Sequence, residues 1–233
     1  WNPQDYANIT SLVLLTDPEK ERAIWSPDIY LYNTAEQPLS QLDYSHVSVS
    51  YNGYILWSRP GIVVSTCFFD LKDFPYDQQV CELKFGSWSY HGEQLNLILD
   101  DNSIDISNYQ ENEGWHLIEH KSTLNTQVYS CCPEPYQDAT FEITLRRKPG
   151  YYVYNIIFPT FATASLMIFS MLIPWDQGER ISFAVTVMLS IIVFLLILSE
   201  NLPKTDTQPL LSRMLIGLTM FSLLVVLLTV IMG

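Results

Sequence analysis

An all-β domain followed by an α-helical transmembrane bundle is the architecture this sequence predicts, on three observations. Charge is scarce, with 48% of the 233 residues apolar and only 16% charged, whereas a soluble domain carries about 25% charged residues. Charge is also segregated: residues 1–149 hold 9 basic and 21 acidic side chains (net −12), and residues 150–233 hold 3 and 4 (net −1). Lastly, the first part alternates apolar and polar residues, while the second contains long uncharged runs. The net charge of −13 excludes a nucleic-acid partner, which needs a basic footprint.

Residues 1–149 read as strands. Val47-Ser48-Val49-Ser50-Tyr51, Val80-Cys81-Glu82-Leu83-Lys84-Phe85, Trp115-His116-Leu117-Ile118-Glu119 and Phe141-Glu142-Ile143-Thr144-Leu145 each alternate. Such a period puts one face on a core and the other in water. Asn52-Gly53, Arg59-Pro60-Gly61, Asp100-Asp101-Asn102 and Glu113-Gly114 supply turns between them. Short strands at this spacing predict an antiparallel, immunoglobulin-like sandwich.

Residues 150–233 read as spans. Tyr151–Ile173, Ile181–Leu198 and Met214–Met232 are free of charge over 23, 18 and 19 residues, and a helix needs about 20 to cross a bilayer core. Backbone groups in lipid must be paired internally, so all three are expected to be helices, at about 151–173, 181–198 and 210–232. Pro174-Trp175-Asp176-Gln177-Gly178 and Asn201 to Gln208 connect them.

The four cysteines allow three pairings. Only Cys67–Cys81 with Cys131–Cys132 keeps both bridges local, free thiols or crossed pairing being the alternatives. Asn8-Ile9-Thr10 is an N-glycosylation acceptor, which suits the oxidising, extracellular side. Arg146-Arg147-Lys148 before the first span argues for the cytoplasm. The bridges and sequon outweigh it, because large domains translocate despite such charges.

Taken together, Trp1-Asn2-Pro3, Trp25-Ser26-Pro27-Asp28-Ile29-Tyr30-Leu31-Tyr32-Asn33, Cys67-x13-Cys81 enclosing Phe74-Pro75-Tyr76-Asp77, Phe85-Gly86-Ser87-Trp88-Ser89-Tyr90, Tyr129-Ser130-Cys131-Cys132-Pro133-Glu134-Pro135-Tyr136 and Gly178-Glu179-Arg180-Ile181-Ser182 form an ordered set. In them the chain resembles the Cys-loop pentameric ligand-gated channels, and within these the nicotinic acetylcholine receptor α-type subunits. The resemblance covers essentially the whole chain. It implies a multi-pass plasma-membrane protein with an extracellular N-terminal domain, assembled as a homo- or hetero-pentamer. It also implies a helix and about two strands ahead of Trp1, and an intracellular loop and fourth span after the third.

The implied ligand is a small amine cation, which aromatic faces attract through their quadrupole. The resemblance assigns Tyr32, Trp88, Tyr129 and Tyr136 to the principal face of an aromatic cage and Trp1 to the complementary face of the neighbouring subunit. The loop carrying Cys131 and Cys132 is expected to close over the ligand. Trp25, Trp57 and Trp115 are assigned to packing.

Glu179, Ser182, Thr186, Leu189, Val193, Leu196 and Glu200 recur at spacings of 3 and 4, a single helical stripe. At 1.5 Å per residue, Glu179 and Glu200 lie about 31 Å apart, bracketing a bilayer core. In a pentamer the glutamate rings select permeant cations, the hydroxyls contact a partly dehydrated ion, and Leu189 and Val193 close the pore by dewetting. Phe74-Pro75, expected to be cis, Arg147 and Pro203 are the implied gating couplers. An enzyme is disfavoured: His46, His91, His116 and His120 form no metal motif, no phosphate loop or nucleophile elbow is present, and no cofactor is expected. A non-conducting, membrane-anchored amine-binding or accessory subunit is the alternative, and the polar stripe counts against it.

Overall fold

The computed structural model describes residues 1–16, 24–36, 45–100, 104–174, 179–202 and 207–232. The strands are β1 (Ser11–Leu14), β2 (Ile29–Leu31), β3 (Val47–Ser50), β4 (Ile55–Trp57), β5 (Gln78–Ser87), β6 (Trp115–Val128) and β7 (Pro135–Arg147). They form a β-sandwich of two sheets, ordered β1-β3-β4 and β2-β5-β7-β6. Each of the four apolar–polar alternations read in the sequence lands in a strand, apart from Tyr51 at the end of the first. In β3, Val47 is buried, Leu14 and Trp57 are its antiparallel partners on either side, and Asn52-Gly53 makes the turn into β4 with Gly53 at φ 88°.

Three helices follow: α1 (Gly150–Ser170), α2 (Glu179–Asn201) and α3 (Leu210–Met232). All are long and apolar enough to cross a membrane. Helix α1 widens into a π turn over Val153–Ile157, immediately before Phe158-Pro159. A proline has no N–H for the carbonyl a turn earlier, and π turns accommodate such a fault. The Thr160 hydroxyl donates to the Ile156 carbonyl at 2.6 Å in the same turn. The first span ends at Ser170, three residues short of the expected Ile173.

The compact units do not divide at residue 149. One contains Trp1–Cys67, Cys81–Asn108 and Glu119–Ile143; the other contains Phe68–Val80, Tyr109–Ile118 and Thr144–Gly233. The second includes the interior of the loop closed by the Cys67–Cys81 bridge. The reason is burial: Leu71 and Phe74 of that loop share an apolar cluster with Ile156, Leu198, Leu211 and Leu215, all nearly inaccessible to solvent. A second cluster holds the helices together through Met167, Ala184, Val187 and Val225.

Candidate ligand site and pore-lining face

Tyr32 follows directly on β2, and its amide donates to the Lys84 carbonyl of β5 at 2.8 Å. Its ring lies across Gly86, where a Cβ would collide with the Tyr32 hydroxyl and come within 2.6 Å of Cζ. Glycine is the residue that permits this approach. The hydroxyl donates to the Ser87 carbonyl at 2.6 Å. Burial, reinforced by the nearby Tyr129, Asp138, Asp28 and Tyr136, pushes the Tyr32 phenol up to about 12, so it remains a neutral hydroxyl at physiological pH.

Trp88 is positioned by a carboxylate. Asp28 accepts from the Ser87 hydroxyl at 2.5 Å and from the Ser89 amide at 2.8 Å, and the Ser87 oxygen in turn accepts from the Tyr90 amide at 2.9 Å. Burial raises the Asp28 pKa, but the hydrogen bonds from Ser87 and Ser89 outweigh it and hold the group below the usual carboxylate value. This pins the backbone on both sides of Trp88 and leaves its indole 66% exposed.

The opposite wall is the connection between β6 and β7. Cys131 and Cys132 are bridged to each other, and the Cys132 amide donates to the Tyr129 carbonyl at 3.1 Å. The bridge closes a tight tip with Tyr129 on one side and Tyr136 on the other. Those two rings meet edge to face at 5.9 Å and 67°, as Tyr32 and Trp88 do at 6.2 Å and 78°. Tyr32, Ser87, Trp88, Tyr129, Cys131, Cys132 and Tyr136 together line a cavity of about 440 Å³. Among the described residues no charged side chain lines it.

The structure therefore brings six sequence-predicted residues to one place and adds Ser87. Trp1 is outside this cavity; its indole N–H donates to the Ile9 carbonyl at 2.8 Å. Trp25, expected in packing, is 64% exposed, with only its edge against Tyr90. Trp25 lies in a connection outside any strand or helix, so no sheet or helix face presses it into a core.

On α2 the seven stripe residues Glu179, Ser182, Thr186, Leu189, Val193, Leu196 and Glu200 are all exposed. The buried residues Ala184, Val187, Ile191 and Leu198 occupy the opposite side of the helix. The Thr186 hydroxyl donates to the Ser182 carbonyl at 2.8 Å, a bond that uses its proton and not its oxygen lone pairs. An apolar packing face and a continuous acidic–hydroxyl–aliphatic face thus coexist on one helix.

Both regions match known families. Residues 1–149 match the neurotransmitter-gated ion-channel ligand binding domain, and residues 156–233 match the neurotransmitter-gated ion-channel transmembrane region. The chain belongs to the neurotransmitter-gated ion-channel family. Among curated relatives it is 40% identical over 230 residues to the Caenorhabditis elegans acetylcholine receptor subunit alpha-type acr-7, covering 94% of this chain and 42% of the relative. It is 36% identical over 213 residues to the Oncorhynchus mykiss neuronal acetylcholine receptor subunit alpha-9-II, covering 91% and 38%. The Homo sapiens neuronal acetylcholine receptor subunit alpha-2 is 35% identical over 231 residues, covering 99% and 43%. The chain spans less than half the length of these relatives. They are receptors, not enzymes, and the family is one of membrane proteins with an extracellular ligand-binding domain.

Within this member of the family, three of the coupling residues of the sequence reading have defined surroundings. Phe74-Pro75 is a cis peptide, and Phe74 is fully buried with its ring edge-on to Tyr152 at 4.6 Å. Arg147 ends β7 with its guanidinium on Asp77 at 2.7 and 3.1 Å and 4.1 Å from the centroid of the Trp115 ring. Phe74 itself lies 5.0 Å from the same guanidinium. Planarity and delocalised charge fit arginine to a carboxylate and an aromatic face at once. Pro203 lies outside the described residues.

Proposed function

We propose that this chain is a subunit of a pentameric, amine-gated cation channel, with the cavity between Trp88 and the Cys131–Cys132 tip as the principal half of the agonist site. The observation that carries the reading is the convergence of four aromatic rings on an uncharged cavity of about 440 Å³, the environment in which a quaternary or protonated amine trades water for ring faces. Acetylcholine-like agonists are the natural class, because the relatives are acetylcholine receptor subunits. Closure of the Cys131–Cys132 loop desolvates the cation and favours one conformation of the receptor, so that agonist affinity for the open state exceeds that for the closed state.

In the pore, five copies of α2 present rings of Glu179 and Glu200 that concentrate cations, with Ser182 and Thr186 between them and Leu189 and Val193 forming an apolar constriction. A dewetted ring of this kind stops ions without a plug.

The test is agonist-evoked current from the full-length subunit in cells, with reversal potentials in exchanged salts. Trp88→Ala removes a desolvated cation–π contact of about 2 kcal/mol, which is about thirtyfold in affinity. Surface expression and disulfide formation should be unchanged. An unchanged dose response in that variant, or an anion-carrying wild type, would overturn the reading.

A further inference from the structure

The structure holds one modification site that the channel reading does not use. We infer that Asn8 carries an N-linked glycan whose first sugar seats on the Tyr6 ring, and that the face bearing both, Trp1 included, points out of the assembly. Asn8-Ile9-Thr10 is the one Asn-x-Ser/Thr sequence in the 233 residues. The sequon alone says little, since many are never used. Here its geometry adds three independent facts.

The first is the turn. Ala7 at φ 53° and ψ 37° and Asn8 at φ 60° are both left-handed, and the Ile9 amide closes the turn on the Tyr6 carbonyl at 3.1 Å. Two left-handed central residues define a type I′ turn, which asparagine tolerates better than most residues. Asn8 therefore sits at a tight apex.

The second is access. Asn8, Ile9 and Thr10 are all exposed, and among the described residues the Asn8 side chain makes no hydrogen bond. The domain is extracellular, so it passes the compartment where transfer occurs. In that transfer the Asn8 Nδ2 bonds to C1 of the sugar, the C1–oxygen bond to a lipid-linked diphosphate donor breaks, the lipid diphosphate leaves, and the amide proton goes to a base.

The third is an unexplained aromatic. Tyr6 opens the same turn, two residues before Asn8, and is 59% exposed. A sugar offers a ring of C–H groups, and an aromatic face is the surface that takes them with apolar burial and electrostatic attraction. Tyr6, the apex Asn8 and Thr10 form one compact acceptor.

The consequence reaches Trp1. Its indole is tied to Ile9, inside the sequon. A bulky glycan one residue away holds this face in solvent, so Trp1 is not the ring that a neighbouring subunit would offer to the cage. On this proposal Trp1 does not take the complementary-face role that the sequence resemblance implies.

Glycopeptide mass spectrometry of the full-length subunit from a secretory eukaryotic cell tests the proposal. The expected result is an occupied Asn8 that becomes empty in Thr10→Ala. Enzymatic removal of the glycan should lower the thermal midpoint of the wild type by a few degrees, leave that of Tyr6→Ala unmoved, and lower that of Tyr6→Phe as in the wild type. Trp1→Ala should keep agonist affinity within about twofold, the range of a surface change without site contact. An empty Asn8 in the wild type, an equal loss of midpoint in Tyr6→Ala, or a tenfold loss of agonist affinity in Trp1→Ala overturns it. The first two outcomes are independent of the amine-site proposal, because neither involves an agonist.

Discussion

Gly86 shows how a single hydrogen atom shapes the site. A methyl there would push into the Tyr32 ring from below and approach the Gln137 carbonyl at 3.0 Å on the strand beyond. Overpacking of this kind costs about 1–3 kcal/mol, and here the ring that must move is a cage wall. Gly86→Ala should therefore weaken agonist binding by about tenfold or more, whereas Gly217→Ala, where an added Cβ meets nothing within 4 Å, serves as a control for folding; equilibrium binding measures both. Tyr32 itself gives a pH signature. Its phenol is raised from 10 to about 12 by burial in the folded protein, so the neutral form is the one the fold prefers. That contribution to stability is complete below pH 10 and is lost as pH rises through 12. A phenol absorbance titration should find one tyrosine ionising near 12 in the wild type and missing from Tyr32→Phe. That these rings would come together was legible in the sequence because they sit in dense motifs, Trp88 beside Gly86 and Tyr129 and Tyr136 around paired cysteines. The Asp28–Ser87 bond that holds Trp88 in place was not, since its partners are 59 residues apart and either side chain alone reads as an ordinary turn residue.

Helix α2 is the element whose sequence pattern translated most directly. Its stripe at spacings of 3 and 4 is exposed along its whole length because Ala184, Val187, Ile191 and Leu198 take the packing side. A helix with two such faces needs a polar environment on one of them even inside a bilayer. Glu179→Gln should lower single-channel cation conductance severalfold with unchanged agonist affinity, and Leu189→Ser should leave a current without agonist, since a hydroxyl wets the constriction. The end of β7 was harder to foresee. Arg146-Arg147-Lys148 reads in the sequence as a basic cluster ahead of the first span, yet the Arg147–Asp77 pair is largely buried between Trp115 and Phe74. Nothing in the local composition brings residue 147 to residue 77. Breaking a buried pair strands one charge, at about 3–5 kcal/mol, so Asp77→Ala should lower the thermal midpoint strongly. Arg147→Lys should recover only part of the loss, because an ammonium cannot make the paired contact and the stacking together.

At the scale of the molecule, charge and apolar surface are arranged for different tasks. The net charge of −12 on residues 1–149 raises the local concentration of cations, and this attraction fades as salt shortens the Debye length. The boundary between β-rich and helical sequence was legible at residue 149, yet the compact unit around the helices reaches back to Phe68–Val80 and Tyr109–Ile118. It does so because Leu71 and Phe74 find their apolar partners in Ile156, Leu198, Leu211 and Leu215, contacts that cross more than 80 residues of chain and leave no periodic trace. The same cluster takes in residues of all three helices, α2 among them, so a displacement of the loop enclosed by Cys67 and Cys81 cannot leave the helices unaffected while packing stays dense. Cutting Phe74 back to alanine removes the largest fully buried ring of that cluster, at about 3–5 kcal/mol for an aromatic core position. The loss falls on whichever conformation packs the loop more tightly against the helices, and so it shifts the closed–open balance rather than the cage. Phe74→Ala should therefore bind agonist within about twofold of the wild type yet show a reduced maximal current, whereas Phe74→Leu, which refills most of the volume, should restore it. Radioligand affinity and maximal current measured on the same surface-expressed receptor separate the two effects; a joint fall in both would mean that the loop serves the agonist site and not the coupling.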